Sequence, residues 1–156
     1  MRRLLTIVEG EGDVRAVPLL IRRILERNGI FDVNLLPTQR RGEYPTVSKN
    51  FDTLFLAATK ENAPILWIMD FDTKDCECPY AEATKLIERA QALRPGWPLK
   101  IAFLVKEYEC LFLYDENATR SVFADIPKPV EFPRNPQEIR GAKEWLSARR
   151  PKGMAY

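Results

Sequence analysis

The sequence predicts an α/β fold: an open, mostly parallel sheet with helices on both faces, formed as a single domain over residues 1–156. Three observations predict it. Short apolar runs of strand length, such as "RRLLTIV" and "APILWIMDFD", alternate with longer stretches of helical periodicity, and that alternation is the signature of a parallel sheet. The length of 156 residues suits one domain that buries a full core without disulfides or metal staples. Apolar residues make up 46% and charged residues 29%, ordinary values for a globular chain.

The elements follow in order. Residues 3–8 read as a buried strand, punctuated by "EGEGD". "DVRAVPLLIRRILERNG" switches to helical spacing, with Val14, Val17, Leu20, Ile21, Ile24 and Leu25 on one face. Asp13 is the expected N-cap, Pro18 is expected near the first turn, and Gly29 marks the stop. "IFDVNLLP" is a second strand. "QRRGEYPTVSKN" is polar and punctuated, and reads as a loop or lid carrying Arg40, Arg41 and Lys49. "FDTLFLAATKEN" is a helix with Phe51, Leu54, Phe55 and Ala58 inward. "APILWIMDFD" is the clearest buried strand. "PYAEATKLIERAQALRPG" is an amphipathic helix opened by Pro79 and closed by Gly96. "WPLKIAFLVKEYECLFLYD" predicts a strand, a turn and a helix starting near Glu107. Past Asp115 the pattern is interrupted at Pro127, Pro129, Pro133 and Pro136, and "NPQEIRGAKEWLSARR" predicts a last helix with Pro136 in its first turn.

Composition excludes several chemistries. The chain has no histidine, so a Ser-His-Asp triad, a histidine zinc site and an imidazole proton shuttle are all out of reach. Three cysteines are an odd count, unlike a secreted disulfide framework, and the lone Cys76-x-Cys78 pair is a weak metal half-site. A net charge of +2 argues against nucleic-acid binding through bulk charge, though not through a local patch. The start "MRRLLTIVEG" turns acidic too early for a signal peptide, and no apolar run approaches membrane-spanning length, so no membrane association and a cytoplasmic location are expected.

The informative residues are acids at strand ends. In an open α/β sheet, ligands bind beyond the carboxyl ends of the strands. Glu9 falls at the end of the first strand and Asp70 at the end of the central one. Asp70 and Asp72 share a face by the two-residue strand period. Carboxylates pointing one way repel unless a positive group sits between them. A hard cation, magnesium or manganese, is the simplest such group. The competing reading of Asp-x-Asp is a turn or helix cap, since aspartate bonds its own backbone. "VEGEGD" is neither a dinucleotide fingerprint nor a P-loop, because no third glycine and no Gly-Lys-Ser/Thr follows.

The stretches "TIVEGEGDVRAVPLLIRRIL", "ILWIMDFDTKDC", "VKEYECLFLYD" and "NPQEIRGAKEWL" give the chain a resemblance that spans nearly its whole length. It resembles Toprim-fold proteins, specifically the small bacterial and archaeal family described as domain of unknown function 4276. Toprim domains place an acid at the end of the first strand and a D-x-D at the end of a later one. These positions fall on Glu9, Asp70 and Asp72. Topoisomerases, primases and the overcoming-lysogenization-defect nucleases use such acids to hold magnesium for phosphoester chemistry. The resemblance further implies a metal role for Asp13, where relatives commonly carry glutamate. A later E-x-E-x-W pattern falls on Glu107 and Glu109, with Leu111 in place of tryptophan. A lysine near the end falls on Lys143. Relatives continue past the final Ala-Tyr, which implies a short C-terminal extension.

The leading expectation is therefore magnesium- or manganese-dependent hydrolysis of a nucleic-acid backbone. Glu9, Asp13, Asp70, Asp72 and Glu107 are the metal-ligand candidates. Glu9, Asp70, Asp72 and Lys143 are the catalytic candidates, and Lys74 is a further phosphate contact. Glu107 and Glu109 have a rival reading as partly buried ion pairs. The alternatives are a non-catalytic Toprim-like partner of an ATPase or nuclease system, and a nucleic-acid-binding module without chemistry. Trp145 and Leu146 are expected either in the core or in a homodimer contact.

Overall fold

A computed structural model describes residues 2–72, 78–106, 108–128 and 130–151. Its described residues form two compact units, which divide between Phe103 and Leu104.

The first unit is built on β1 (Arg2–Val8), whose last four residues are all buried. It is followed by α1 (Glu11–Arg27), β2 (Val33–Leu35), β3 (Gln39–Arg40), α2 (Tyr44–Thr59), β4 (Ile65–Phe71), α3 (Pro79–Leu93) and β5 (Leu99–Val105), the division falling within β5 after Phe103. The sheet order is β2-β1-β4-β5, with β3 also paired to β1. β1 runs parallel to β2, β3 and β4. An α/β architecture with a five-stranded parallel sheet is thus what the alternating sequence pattern encodes.

β2 and β3 are two pieces of one interrupted edge. Leu4 of β1 lies opposite Leu35, yet Ile7 lies opposite Gln39, so four residues on the edge match three on β1. The extra residue is a bulge in the stretch that contains Pro37, which has no N–H to give the ladder. Leu36 N–H still donates to the Leu4 carbonyl and Arg41 N–H to the Val8 carbonyl, at 2.9 Å each, so pairing resumes on either side.

The burial of β4 alternates strictly: Ile65, Trp67, Met69 and Phe71 are buried, and Leu66, Ile68 and Asp70 half-buried. The buried set joins Leu5 and Ile7 of β1 and Leu99 of β5 in a core closed by Val47, Phe51, Phe55 and Ala58 of α2 and Leu86 and Ala90 of α3. Phe51 packs on Phe55 at 5.8 Å and on Trp67 at 5.3 Å between ring centres. Val8 and Val17 are buried outside this cluster, on the α1 side. There the Thr6 and Thr38 hydroxyls meet at 2.6 Å.

Three expectations need correction here. Asp13 is not the N-cap of α1: the cap is Gly10, and Asp13 sits three residues on, where its Oδ2 accepts the Gly10 N–H at 2.8 Å. Pro18 lies well inside α1 rather than in its first turn. The polar stretch after Gly42 is not a loop. It opens α2 at Tyr44, with Pro45 in the first turn, where proline's missing N–H costs nothing.

The second unit holds α4 (Cys110–Leu113), α5 (Glu116–Val122), a 3-10 turn (Pro136–Glu138) and α6 (Ala142–Ala148). Its core is Cys110, Leu113, Ile126, Ala142 and Leu146, with Phe112, Phe123, Phe132 and Trp145 packed against it. Trp145 and Leu146 therefore belong to this core. The predicted last helix is broken in two: Ile139 is extended and Gly141 is left-handed (φ 70°), so α6 starts after it. α5, which the sequence reading did not predict, is capped by the Asp115 carboxylate accepting the Ala118 N–H at 2.9 Å.

Candidate functional site

The carboxyl ends of β1 and β4 bring the first two predicted acids together. β1 ends at Val8, so Glu9 leaves the sheet at its rim, half-buried. The main chain of Asp70, near the end of β4, lies close enough to the Glu9 carboxylate to favour the charged form. Burial is the main cause that holds the Glu9 carboxyl above the usual glutamate range; the negative field of Glu43 is next, and that of Asp13 adds to it. The Asp70 main chain opposes these by stabilising the charged form. A strand-end carboxyl raised first by burial and then by carboxylate neighbours marks a candidate functional position.

Each neighbour is positioned by local structure. Glu43 is the N-cap residue of α2, reached through the left-handed turn at Gly42 (φ 81°). Asp13 lies in the first turn of α1, tied to Gly10. Asp70 shares the half-buried face of β4 with Leu66 and Ile68, and Asp72 follows the strand, exposed. Arg40 donates from Nε to the Glu9 carbonyl at 3.3 Å. Arg41 donates from Nη2 to Gln39 Oε1 at 2.5 Å, while its Nε is buried without a hydrogen bond.

The same rim carries a buried phenol. Tyr44 packs against Phe71 at 5.4 Å and edge-on to Phe103 at 5.0 Å. Its hydroxyl donates to Glu82 Oε2 at 2.6 Å. Lys85, whose Nζ donates to Glu82 Oε1, and then Tyr44 hold the Glu82 carboxyl below its ordinary range. This tie joins the first turns of α2 and α3 behind the strand end that leads to Asp72.

Lys74 and Glu107 lie outside the described residues. Glu109 is the N-cap residue of α4, and Lys143 is exposed in the first turn of α6, both in the second unit. Lys106, which precedes Glu107, has a left-handed backbone (φ 74°) and donates from Nζ to the Glu138 carbonyl at 3.1 Å. Among the described residues, no three acidic or thiol side chains are grouped so as to hold a metal ion.

A family model for a domain of unknown function, DUF4276, matches residues 8–152. The chain belongs to the DUF4276 family. No curated protein and no solved structure matches it significantly. The matched span starts one residue before Glu9 and takes in every candidate acid as well as Lys143.

Within this DUF4276 chain, the sequence reading named Glu9, Asp13, Asp70 and Asp72 but passed over Glu43, Tyr44 and Glu82. Glu43 and Tyr44 were hidden in a stretch read as loop. The available signal was Gly42-Glu43-Tyr44-Pro45, a turn glycine followed by a proline suited to a helix start. Glu82 carried a weaker one, an acid in the first turn of a helix opened by Pro79.

Proposed function

We propose that this chain carries a Toprim-like centre for magnesium- or manganese-dependent phosphoester chemistry, most directly hydrolysis of a nucleic-acid backbone. One observation carries the reading. The Glu9 carboxylate meets the Asp70 main chain at the carboxyl rim of the sheet, where Glu43 and Asp13 crowd it with like charge. That environment favours a cation as counter-charge.

Glu9, Asp70 and Asp72 are the residues that would hold the ion, with the charges of Glu43 and Asp13 acting on Glu9. When bound, a divalent cation orients a phosphate, acidifies an attacking water and offsets charge developing in the transition state. The chain's own residues define the surroundings. Asp13 fixes the turn after Glu9 through Gly10, and Arg40 holds the Glu9 main chain from the outer edge. The Tyr44–Glu82 tie steadies the end of β4 from the other face.

Calorimetric titration with magnesium and manganese tests the reading. Saturable binding by the parent, lost in D70N/D72N, supports it; flat traces for both overturn it. Cleavage of single- or double-stranded DNA or RNA that stops with EDTA then establishes the reaction.

A second reading is a non-catalytic Toprim-like partner of an ATPase or nuclease system. It is favoured by the lack of a three-ligand group among the described residues. Metal binding without cleavage of any strand would select it.

A further inference from the structure

We propose that the second unit carries a nucleotide subsite, in which Tyr114 stacks on the base and Arg134 takes the phosphate of one step of a single strand. The proposal rests on the nucleic-acid reading above for its substrate class, while its site and its test are independent of the metal.

A cavity of about 420 Å³ is lined by Tyr114, Arg134, Asn135, Pro136 and Glu138. That volume lies in the range of small-ligand sites. Tyr114 follows α4 and is 54% exposed, whereas Phe112, Phe123, Phe132 and Trp145 of the same unit pack on its core. An aromatic ring left beside a polar cavity offers a stacking face for any base. Arg134 is exposed and makes no hydrogen bond or ion pair with the described residues. Other arginines of the unit differ: Arg120 is tied to Glu116 and Arg150 to Asp125. An uncommitted guanidinium fork matches a phosphate oxygen pair.

The floor of the cavity is fixed. Pro136 is buried, and the Asn135 amide donates to Glu138 Oε1 at 3.1 Å, which orients the carboxylate. Lys106 Nζ donates to the Glu138 carbonyl and brings a second positive charge to the same segment. The oriented carboxylate accepts N–H groups from a base edge, so guanine, with adjacent N–H donors on its pairing edge, is favoured over uracil.

The test is fluorescence anisotropy of the full chain with a labelled single-stranded decamer rich in guanine, in EDTA. The parent is expected to bind. Y114A and R134A should each weaken binding about tenfold, the usual worth of one stacked base or one phosphate contact, and R134A should lower the salt slope by about one. Y114F should bind like the parent. Unlabelled 5′-GMP should compete far less well than the unlabelled decamer. The proposal is overturned if the decamer does not bind, or if Y114A and R134A match the parent. It is also overturned if GMP competes as well as the strand, which would make this a site for free mononucleotides. Because no metal is present, flat magnesium calorimetry leaves this outcome unaffected.

Discussion

Burial and two neighbouring carboxylates hold Glu9 above its ordinary value of 4.5, and this has a defined consequence for pH. A carboxyl with a raised folded pKa binds more protons in the folded chain than in the unfolded one. Stability is then greatest below the unfolded value and falls as pH rises through the folded one. Replacing Glu9 with glutamine keeps an oxygen beside the Asp70 main chain and removes the charge. Without added metal, E9Q should melt higher than the parent near neutral pH, and the two should converge below pH 4.5. Thermal melts across that range measure the gap, and a gap of opposite sign would contradict a raised Glu9 carboxyl. At this scale the sequence was legible where polarity breaks a pattern: Glu9 and Asp70 each end an apolar run. It was not legible where a residue's role depends on a distant element. Glu43 acts on Glu9 only because a bulged edge strand leads the chain back past the end of β1.

Among the elements, the irregular segment after α5 shows how one side chain replaces a strand or helix. Arg120 donates from Nη1 to the carbonyls of Ile126 and Pro127 and from Nη2 to those of Lys128 and Val130. Its Nε pairs with Glu116, and its plane lies 5.1 Å from the Phe132 ring centre. These bonds supplement the segment's own Val130 N–H to Pro127 carbonyl bond and give partners to main-chain acceptors that lie outside any regular ladder. R120A should cost about 1–3 kcal/mol, since it strands the part-buried carbonyls of Ile126 and Val130, while those of Pro127 and Lys128 are exposed to water. R120K should recover only part of the loss, because an ammonium lacks the planar fork that spans four acceptors. Denaturant melts give the loss, and hydrogen exchange at Phe123 and Ile126 locates it. β1 and β4 were readable from sequence because each carries an apolar run of strand length, whereas β3 (Gln39–Arg40) is polar and falls in a stretch that reads as loop. α5 was not, because "ENATRSV" has no apolar stripe and depends on the Asp115 cap and Arg120. The last helix was overextended because its spacing continues through Gly141, whose left-handed backbone breaks it.

At the scale of the whole molecule, the described residues form two cores with no residue in common: one centred on Trp67, Phe51 and Phe55, the other on Leu113, Ala142 and Leu146. A periodicity reading finds apolar positions but does not say which of them share a core, so it groups all of them into one domain. Separate cores predict separate cooperative blocks, because local opening free energy follows the contacts that each block buries. Phe55→Ala removes a buried ring stacked on Phe51, at a cost of about 3–5 kcal/mol, and Leu146→Ala costs about 2–5 kcal/mol. Native-state hydrogen exchange separates the two effects. F55A should lower protection in β1, β4 and α2 while leaving the amides of α4 and α6 at parental values, and L146A should do the reverse. Equal loss of protection in both blocks from either variant would mean a single cooperative fold, with the division at Phe103 and Leu104 having no energetic counterpart. The outcome also bears on the two proposed sites, since the Glu9 rim draws its rigidity from the first core and the Tyr114 cavity from the second.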